Sequence, residues 1–175
     1  MKLVLVSCCA PCSAGAIRQL ADGAIDGVDD FIVMFFNPNI YPISEYEKRL
    51  TEQIKYCQQL GVKYVIGEYD HDAWRNAVVG LESEPERGAR CTKCFQFRFE
   101  YAKKWAKSNG FDAVASVLGV SRHKSQSQVD SAGADVMGPM YKSIKWDENL
   151  RQKIGRESDF YRQNYCGCEF SIRKV

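Results

Sequence analysis

The sequence predicts an α/β fold, a parallel sheet flanked by helices, and three observations carry that prediction. Short apolar runs recur at Lys2–Val6, Phe31–Phe36, Val62–Ile66 and within FDAVASVLGV, positions 111–120. The segments between them are longer and carry helical spacing, the alternation that marks strand–helix–strand units. Glycine, proline and asparagine gather at the joints, as in Asn37-Pro38-Asn39 and at Gly61 and Gly110, where turns need them.

Taken in order, Lys2–Val6 is the first strand, and a helix over Ser13–Leu20 begins behind Pro11. Phe31–Phe36 is the second strand, ending in the NPNIYP turn. Ser44 with Glu47 three residues on has the capping-box pattern, so a helix should open there and run to about Leu60, before Gly61. Leu50, Ile54, Cys57 and Leu60 fall on one face of it. Val62–Ile66 is the third strand and Asp72–Val79 a short helix. GLESEPERGARC, positions 80–91, reads as a polar loop. A long helix covers Thr92–Ser108, with Phe95, Phe97, Phe99, Tyr101 and Trp105 as its core side. The fourth strand lies in 111–120. Beyond it Ser125–Ser131 and Glu148–Ile154 read as helices and Asp135–Met137 as a short strand. With no internal repeat, low-complexity segment or linker, the whole chain, 1–175, is expected to form a single domain.

The 175 residues are enough for a self-sufficient core. A hydrophobic content of 45% and a charged content of 26% belong to a soluble globular protein. No apolar run approaches the roughly 20 residues of a membrane span. The N-terminal apolar stretch is about five residues, short of a secretory h-region, so a cytoplasmic protein is expected. A net charge of +2 does not by itself argue for nucleic acid. Locally the balance differs: Arg87, Arg90, Lys93, Arg98, Lys103, Lys104 and Lys107 face a single acid, Glu100. That stretch is either a solvated helix face or a phosphate-contacting patch.

Eight cysteines in a cytoplasmic chain point to metal binding or catalysis rather than a disulfide framework. Seven fall into three groups: Cys8, Cys9 and Cys12; Cys91 and Cys94; Cys166 and Cys168. Cys57, on an apolar helix face, reads as core. The first group follows the first strand, and parallel sheets bind ligands beyond the carboxyl ends of their strands. Four thiolates suit either a structural zinc or a [4Fe–4S] cluster. The spacing favours iron–sulfur, because the paired CxxC knuckles of zinc sites are missing and seven thiols exceed what one zinc needs. A disulfide across Cys166-Gly167-Cys168 would close a very small, strained ring and be easily reduced. The pair is therefore either a reversible two-electron store or a further set of metal ligands.

The segments SCCAPCS, FFNPNIYPISEYEKR, EPERGARCTKCF and YRQNYCGC together resemble the cobalamin-independent epoxyqueuosine reductase family. Ser121–Ser158 follows that family only loosely. The resemblance implies an adenine-nucleotide α-hydrolase-like (HUP-type) fold, with SCCAPCS in place of a phosphate loop. It implies reduction of the epoxide of epoxyqueuosine, at the wobble position of tRNA with a GUN anticodon, to queuosine. It assigns Cys8, Cys9, Cys91 and Cys94 to a [4Fe–4S] cluster and Cys166 and Cys168 to a redox-active pair. Cys12 is placed beside an additional mononuclear iron, and an electron-donor protein is required. Asn37, Asn39 and Tyr46 are candidates for contacting the modified base, although the asparagines can equally shape their turn. Tyr161, Arg162 and Tyr165 can stack or pair with an anticodon loop. His123 is either a proton donor or a packing histidine. Two other classes stand beside this one: an ATP-dependent tRNA-thiolating enzyme of related fold, for which an S-G-G-x-D-S loop is missing, and a non-catalytic zinc or iron–sulfur module.

Overall fold

Four strands pair in parallel in the order β3-β2-β1-β4. They are β1 (Lys2–Ser7), β2 (Asp30–Phe35), β3 (Tyr64–Ile66) and β4 (Ala113–Ser116). The structure is a computed structural model and describes residues 1–172. β1 is central. Its register sets Lys2 opposite Asp30 through Ser7 opposite Phe35 on one side, and Leu3 opposite Ala113 through Val6 opposite Ser116 on the other. Covered on both faces, it reads as a continuous apolar run rather than an alternating one. Six α-helices accompany the sheet among the described residues: α1 (Ala10–Ala21), α2 (Ile43–Gln59), α3 (His71–Ala77), α4 (Ala89–Ser108), α5 (Gln126–Met137) and α6 (Glu148–Glu157). Among the described residues no helix is long and apolar enough to cross a membrane.

Alternate residues of β1 face opposite sides and so feed two cores. Val4 and Val6 join Met34, Phe95 and Phe99 with Val129 and Ala132 from α5. Leu3 and Leu5 join Val33, Ala14, Ile17, Tyr56 and Cys57. Cys57 is fully buried there, as its apolar face predicts. The aromatic run of α4 also packs inward: Phe95 and Phe99 are buried, and Phe97, Tyr101 and Trp105 lie against the same cluster.

Several elements depart from the sequence expectation. α1 starts at Ala10 rather than Ser13, and α4 at Ala89 rather than Thr92, so both helices gain three residues at the cysteine-bearing end. Their N-caps, Cys9 and Gly88, are extended and offer no side-chain cap, which removes the sequence signal that marks a helix start. Ser44 is not an N-cap: α2 begins at Ile43 behind an extended Pro42, without a side-chain cap bond. The inward face of α2 is polar as well as apolar, with Glu45, Arg49 and Gln53 buried, while Leu50, Ile54 and Leu60 stay partly exposed. Asp135–Met137 is not a strand; it ends α5, whose Ser125 cap accepts from the Gln128 amide. The extra pairing beside β4 comes instead from Tyr141, bridged to Val114. α2 does stop at Gly61, whose φ of 64° is left-handed.

Candidate metal and redox centre

β1 delivers the first thiols. At its end the Ser7 hydroxyl donates to the Gln53 side-chain oxygen at 2.6 Å, and the Ser13 hydroxyl donates to the same oxygen at 2.9 Å. One buried amide of α2 thus pins both arms of the loop that carries Cys8, Cys9 and Cys12. Because α1 starts at Ala10, with Pro11 in the first turn where no amide hydrogen is needed, Cys12 turns back toward the loop. The three sulfurs lie within 4.8 Å of one another, and Cys8 Sγ is 3.8 Å from Cys9 Sγ.

α4 delivers the second pair from its first two turns. Arg87, at a left-handed φ of 67°, aims its amide at Cys91 Sγ, 3.3 Å away. A non-glycine residue in that region is strained. Here the Gln128 side chain holds it, donating to the Arg87 and Gly88 carbonyls and to Thr92 Oγ1. Arg90 and Arg98 point inward and are almost fully buried. Arg90 donates to the Glu82 carbonyl at 2.8 Å; Arg98 donates to the Phe36 carbonyl at 3.2 Å and to Asn37 Oδ1. Two of the seven cations in this basic stretch therefore belong to the interior, not to a solvated face or a phosphate patch.

The Cys166-Gly167-Cys168 turn lies against the NPNIYP turn. The Tyr41 amide donates to the Gly167 carbonyl at 2.9 Å, and Ile40 bridges Cys168 antiparallel. Arg49 donates to the carbonyls of Tyr165 and Cys166, each at 3.2 Å. Gly167 takes φ 104°, and a Cβ there would meet Ile40 Cγ1 at 2.9 Å and Arg49 Nη1 at 3.1 Å. Only glycine fits this turn.

These pieces meet around a small interior cavity lined by Asn39, Trp74, Cys91, Cys94, Lys124, Cys166 and Cys168. Lys124 links it to the first group, its Nζ standing 3.6 Å from Cys8 Sγ. Hydrogen bonds from Cys12 and Cys9 hold Cys8 well below the usual thiol range, and Lys124 and Arg98 add to this. Cys9 and Cys12 are pushed up by the same shared protons, Cys12 to about 12. Burial pushes Cys91 and Cys94 up. The bond from Cys168, with Lys124 nearby, lowers Cys166 to about 5, while Cys168 is raised in return. Five buried polar atoms of residues lining the cavity lack a partner: Asn39 Oδ1, Trp74 Nε1, Arg90 Nε, Arg98 Nη1 and His123 Nε2. A compact thiol group beside cations and unused N–H donors suits a thiolate-held metal.

Comparison with known proteins gives the family. A family model described as "Epoxyqueuosine reductase QueH" matches residues 3–174. The chain belongs to the QueH epoxyqueuosine reductase family. Among its curated QueH relatives, that of Histophilus somni is 39% identical, covering 98% of this chain and 72% of the relative. The QueH of Thermotoga maritima is 29% identical over 98% of this chain and 91% of its own. Among solved structures, the U34-tRNA thiolase NcsA of Methanococcus maripaludis, determined with its [4Fe–4S] cluster, superposes with a TM-score of 0.64 at 15% identity. That match covers 99% of this chain and 62% of NcsA. A predicted tRNA methyltransferase subunit from Methanocaldococcus jannaschii gives 0.52 at 12% identity, over 90% of this chain and 76% of its own. At such identities the likeness concerns the fold alone, the parallel sheet flanked by helices described above.

Within this QueH-family chain the sequence-predicted residues fall in three places. Cys8, Cys9 and Cys12 form the compact group, and Cys91, Cys94, Cys166 and Cys168 with Asn39 line the adjoining cavity. Asn37 and Tyr46 lie behind them in the interior. The Asn37 amide donates to the Ser7 carbonyl at 2.9 Å and accepts from Arg98, and Tyr46 packs edge-on against Phe35. Tyr161 and Arg162 lie outside, with the Tyr161 hydroxyl donating to Glu45 at 2.8 Å and Arg162 donating to the Gly155 carbonyl. Lys124, Arg49, Gln53 and Trp74 carry the site without a signal singled out in the sequence, and Arg98 carries it from within a stretch that reads as a solvated face or phosphate patch. Three of them, Arg49, Gln53 and Arg98, are charged or amide side chains buried within helices. The signal that could have found Arg49 and Gln53 is their spacing: Glu45, Arg49, Gln53 and Cys57 recur every four residues on α2.

Proposed function

We propose that this chain reduces epoxyqueuosine at the wobble position of a GUN-anticodon tRNA to queuosine in the cytoplasm, fed by an electron-donor protein. In this reading Cys8, Cys9, Cys91 and Cys94 hold a [4Fe–4S] cluster, Cys12 serves an additional mononuclear iron, and Cys166 and Cys168 are the redox-active pair. The observation that carries it is the convergence of all three cysteine groups at the carboxyl edge of the sheet, in a chain of the QueH family. When bound, the iron–sulfur centre would supply single electrons and a Lewis-acidic iron for the epoxide oxygen.

The chain's own groups match the stoichiometry. Turning an epoxide into an alkene consumes two electrons and two protons and releases water; closing the Cys166–Cys168 dithiol to a disulfide yields two electrons and two protons. Lys124 and Arg98 offset the negative charge of gathered thiolates, as their places beside Cys8 and Asn37 support. For the substrate, Asn39 has an unpartnered oxygen facing the cavity. Asn37 and Tyr46 support it from behind, and Tyr161 and Arg162 stand where an anticodon loop can reach them.

Anaerobic incubation with epoxyqueuosine-containing tRNA and a reductant, followed by nucleoside mass analysis, should show loss of one oxygen atom. Cys168→Ser should keep its iron and lose multiple turnover. Full multiple-turnover activity in that variant would remove the dithiol from the reaction. A colourless anaerobic preparation holding only zinc would remove the cluster.

A further inference from the structure

Outside the thiol cavity lies a groove of about 660 Å³, a size that suits a small ligand. Tyr165 and Phe170 give it aromatic walls, and Glu86, His123 and Asn164 give it polar ones. His123 is common to this groove and to the inner cavity, so its ring stands at the partition between them. Its Nε2 is buried without a partner, and its Nδ1 faces the Glu86 carboxylate at 3.7 Å.

The two loops that bring these groups together are stitched to each other. The Arg87 guanidinium donates to the Arg122 carbonyl at 2.6 Å, so the neighbours Glu86 and His123 are drawn into opposition. The His123 amide donates to Ser121 Oγ at 3.3 Å, which closes the turn under the ring. The Glu86 carboxylate lies within ion-pair range of one imidazole nitrogen, beyond direct hydrogen-bond length, and leaves the other nitrogen free for a ligand.

We propose that the groove holds the base and cyclopentane ring of the modified nucleoside, and that His123, oriented by Glu86, is the acid that protonates the epoxide oxygen. This rests on the epoxyqueuosine reading given above. The Cys166–Cys168 dithiol closes to a disulfide and releases two electrons and two protons. The electrons pass to the epoxide, both C–O bonds break and the two ring carbons become an alkene. The oxygen takes one proton from His123 Nε2 and a second from solvent, and leaves as water. The dithiol's two protons restore the imidazole and the solvent. Glu86 is a positioning residue that acts through the ring.

The test compares His123→Gln, His123→Ala with and without added imidazole, Glu86→Gln and Glu86→Asp with the wild-type protein under anaerobic turnover. Iron content, visible spectrum and tRNA affinity are measured alongside. His123→Gln should lose about 100-fold in turnover, with iron, spectrum and tRNA affinity unchanged. Imidazole should return roughly tenfold to His123→Ala, as a diffusible acid does for a missing one. Glu86→Gln should lose about tenfold, and Glu86→Asp should recover most of it. Turnover of His123→Gln within threefold of wild type would overturn the proposal. So would absence of imidazole rescue, or a parallel loss of iron or tRNA affinity, which would make His123 structural. A wild-type protein that leaves the epoxide untouched would sink the underlying reading as well; active wild type with equally active His123→Gln would sink the acid alone.

Discussion

Cys8 and Cys9 follow a strand paired on both sides, whereas Cys166 and Cys168 ride on a segment whose link to a neighbouring element is a single bridge at Ile40. The first group is placed by backbone register, in which many hydrogen bonds share the task and no single side chain is decisive. The second is placed by side chains: Arg49 on two carbonyls, the Tyr165 hydroxyl on the Tyr41 carbonyl, and the fit of Gly167 against Ile40. Under the roles proposed above, a group that holds a metal would gain from rigidity and a pair that opens and closes a bond from a mounting that yields. The difference in construction is the one that proposal calls for.

The contrast can be broken by substitution, beginning with the largest effect. Cys91→Ser should lose its bound iron, whereas Cys57→Ser, altering a thiol sealed in the opposite core, should retain it; anaerobic iron analysis decides. Equal iron in the two would cancel the ligand assignment. Arg49→Met comes next. Its side chain is 1% exposed and that of its partner Glu45 is 7% exposed, so the change strands a buried carboxylate at a cost of about 3–5 kcal/mol. Urea unfolding should show that loss, and Glu45→Gln in the same chain should return part of it. Gly167→Ala has the smallest expected effect, about 1–3 kcal/mol for a left-handed alanine pressed on Ile40. It should speed proteolysis in the 160–172 segment and leave iron content unaltered. Iron loss in Gly167→Ala would mean that the two mountings are not independent.

The sheet and its order of elements were legible because buried parallel strands write themselves as apolar runs and α2 ends on a glycine that needs a left-handed φ. The cysteine groups were legible for a different reason, since free thiols in such numbers have few structural uses. The interior charges were not. Arg49, Arg90 and Arg98 sit on helices whose cations normally face water, and only the fold shows that each finds backbone carbonyls to bond. The starts of α1 and α4 were misread for a related reason: Cys9 and Gly88 cap by conformation rather than by side chain. At Ser44 the capping-box pattern is present but idle, because the chain arriving through Pro42 opens the helix two residues earlier. The 135–137 strand failed because α5 continues through it against the α4 face.

Gln53 and Arg49 are one turn apart on the same helix. The first ties down the loop of Cys8, Cys9 and Cys12, and the second ties down the turn of Cys166 and Cys168. The rise between the two anchors is therefore that of four helical residues, about 6 Å. α2 works as a ruler laid between the front and rear of the molecule. Sliding the rod carries both sulfur sets along together and preserves their separation. Adding one residue between 49 and 53 would swing one anchor by about 100° around the axis and set the two ends adrift from each other.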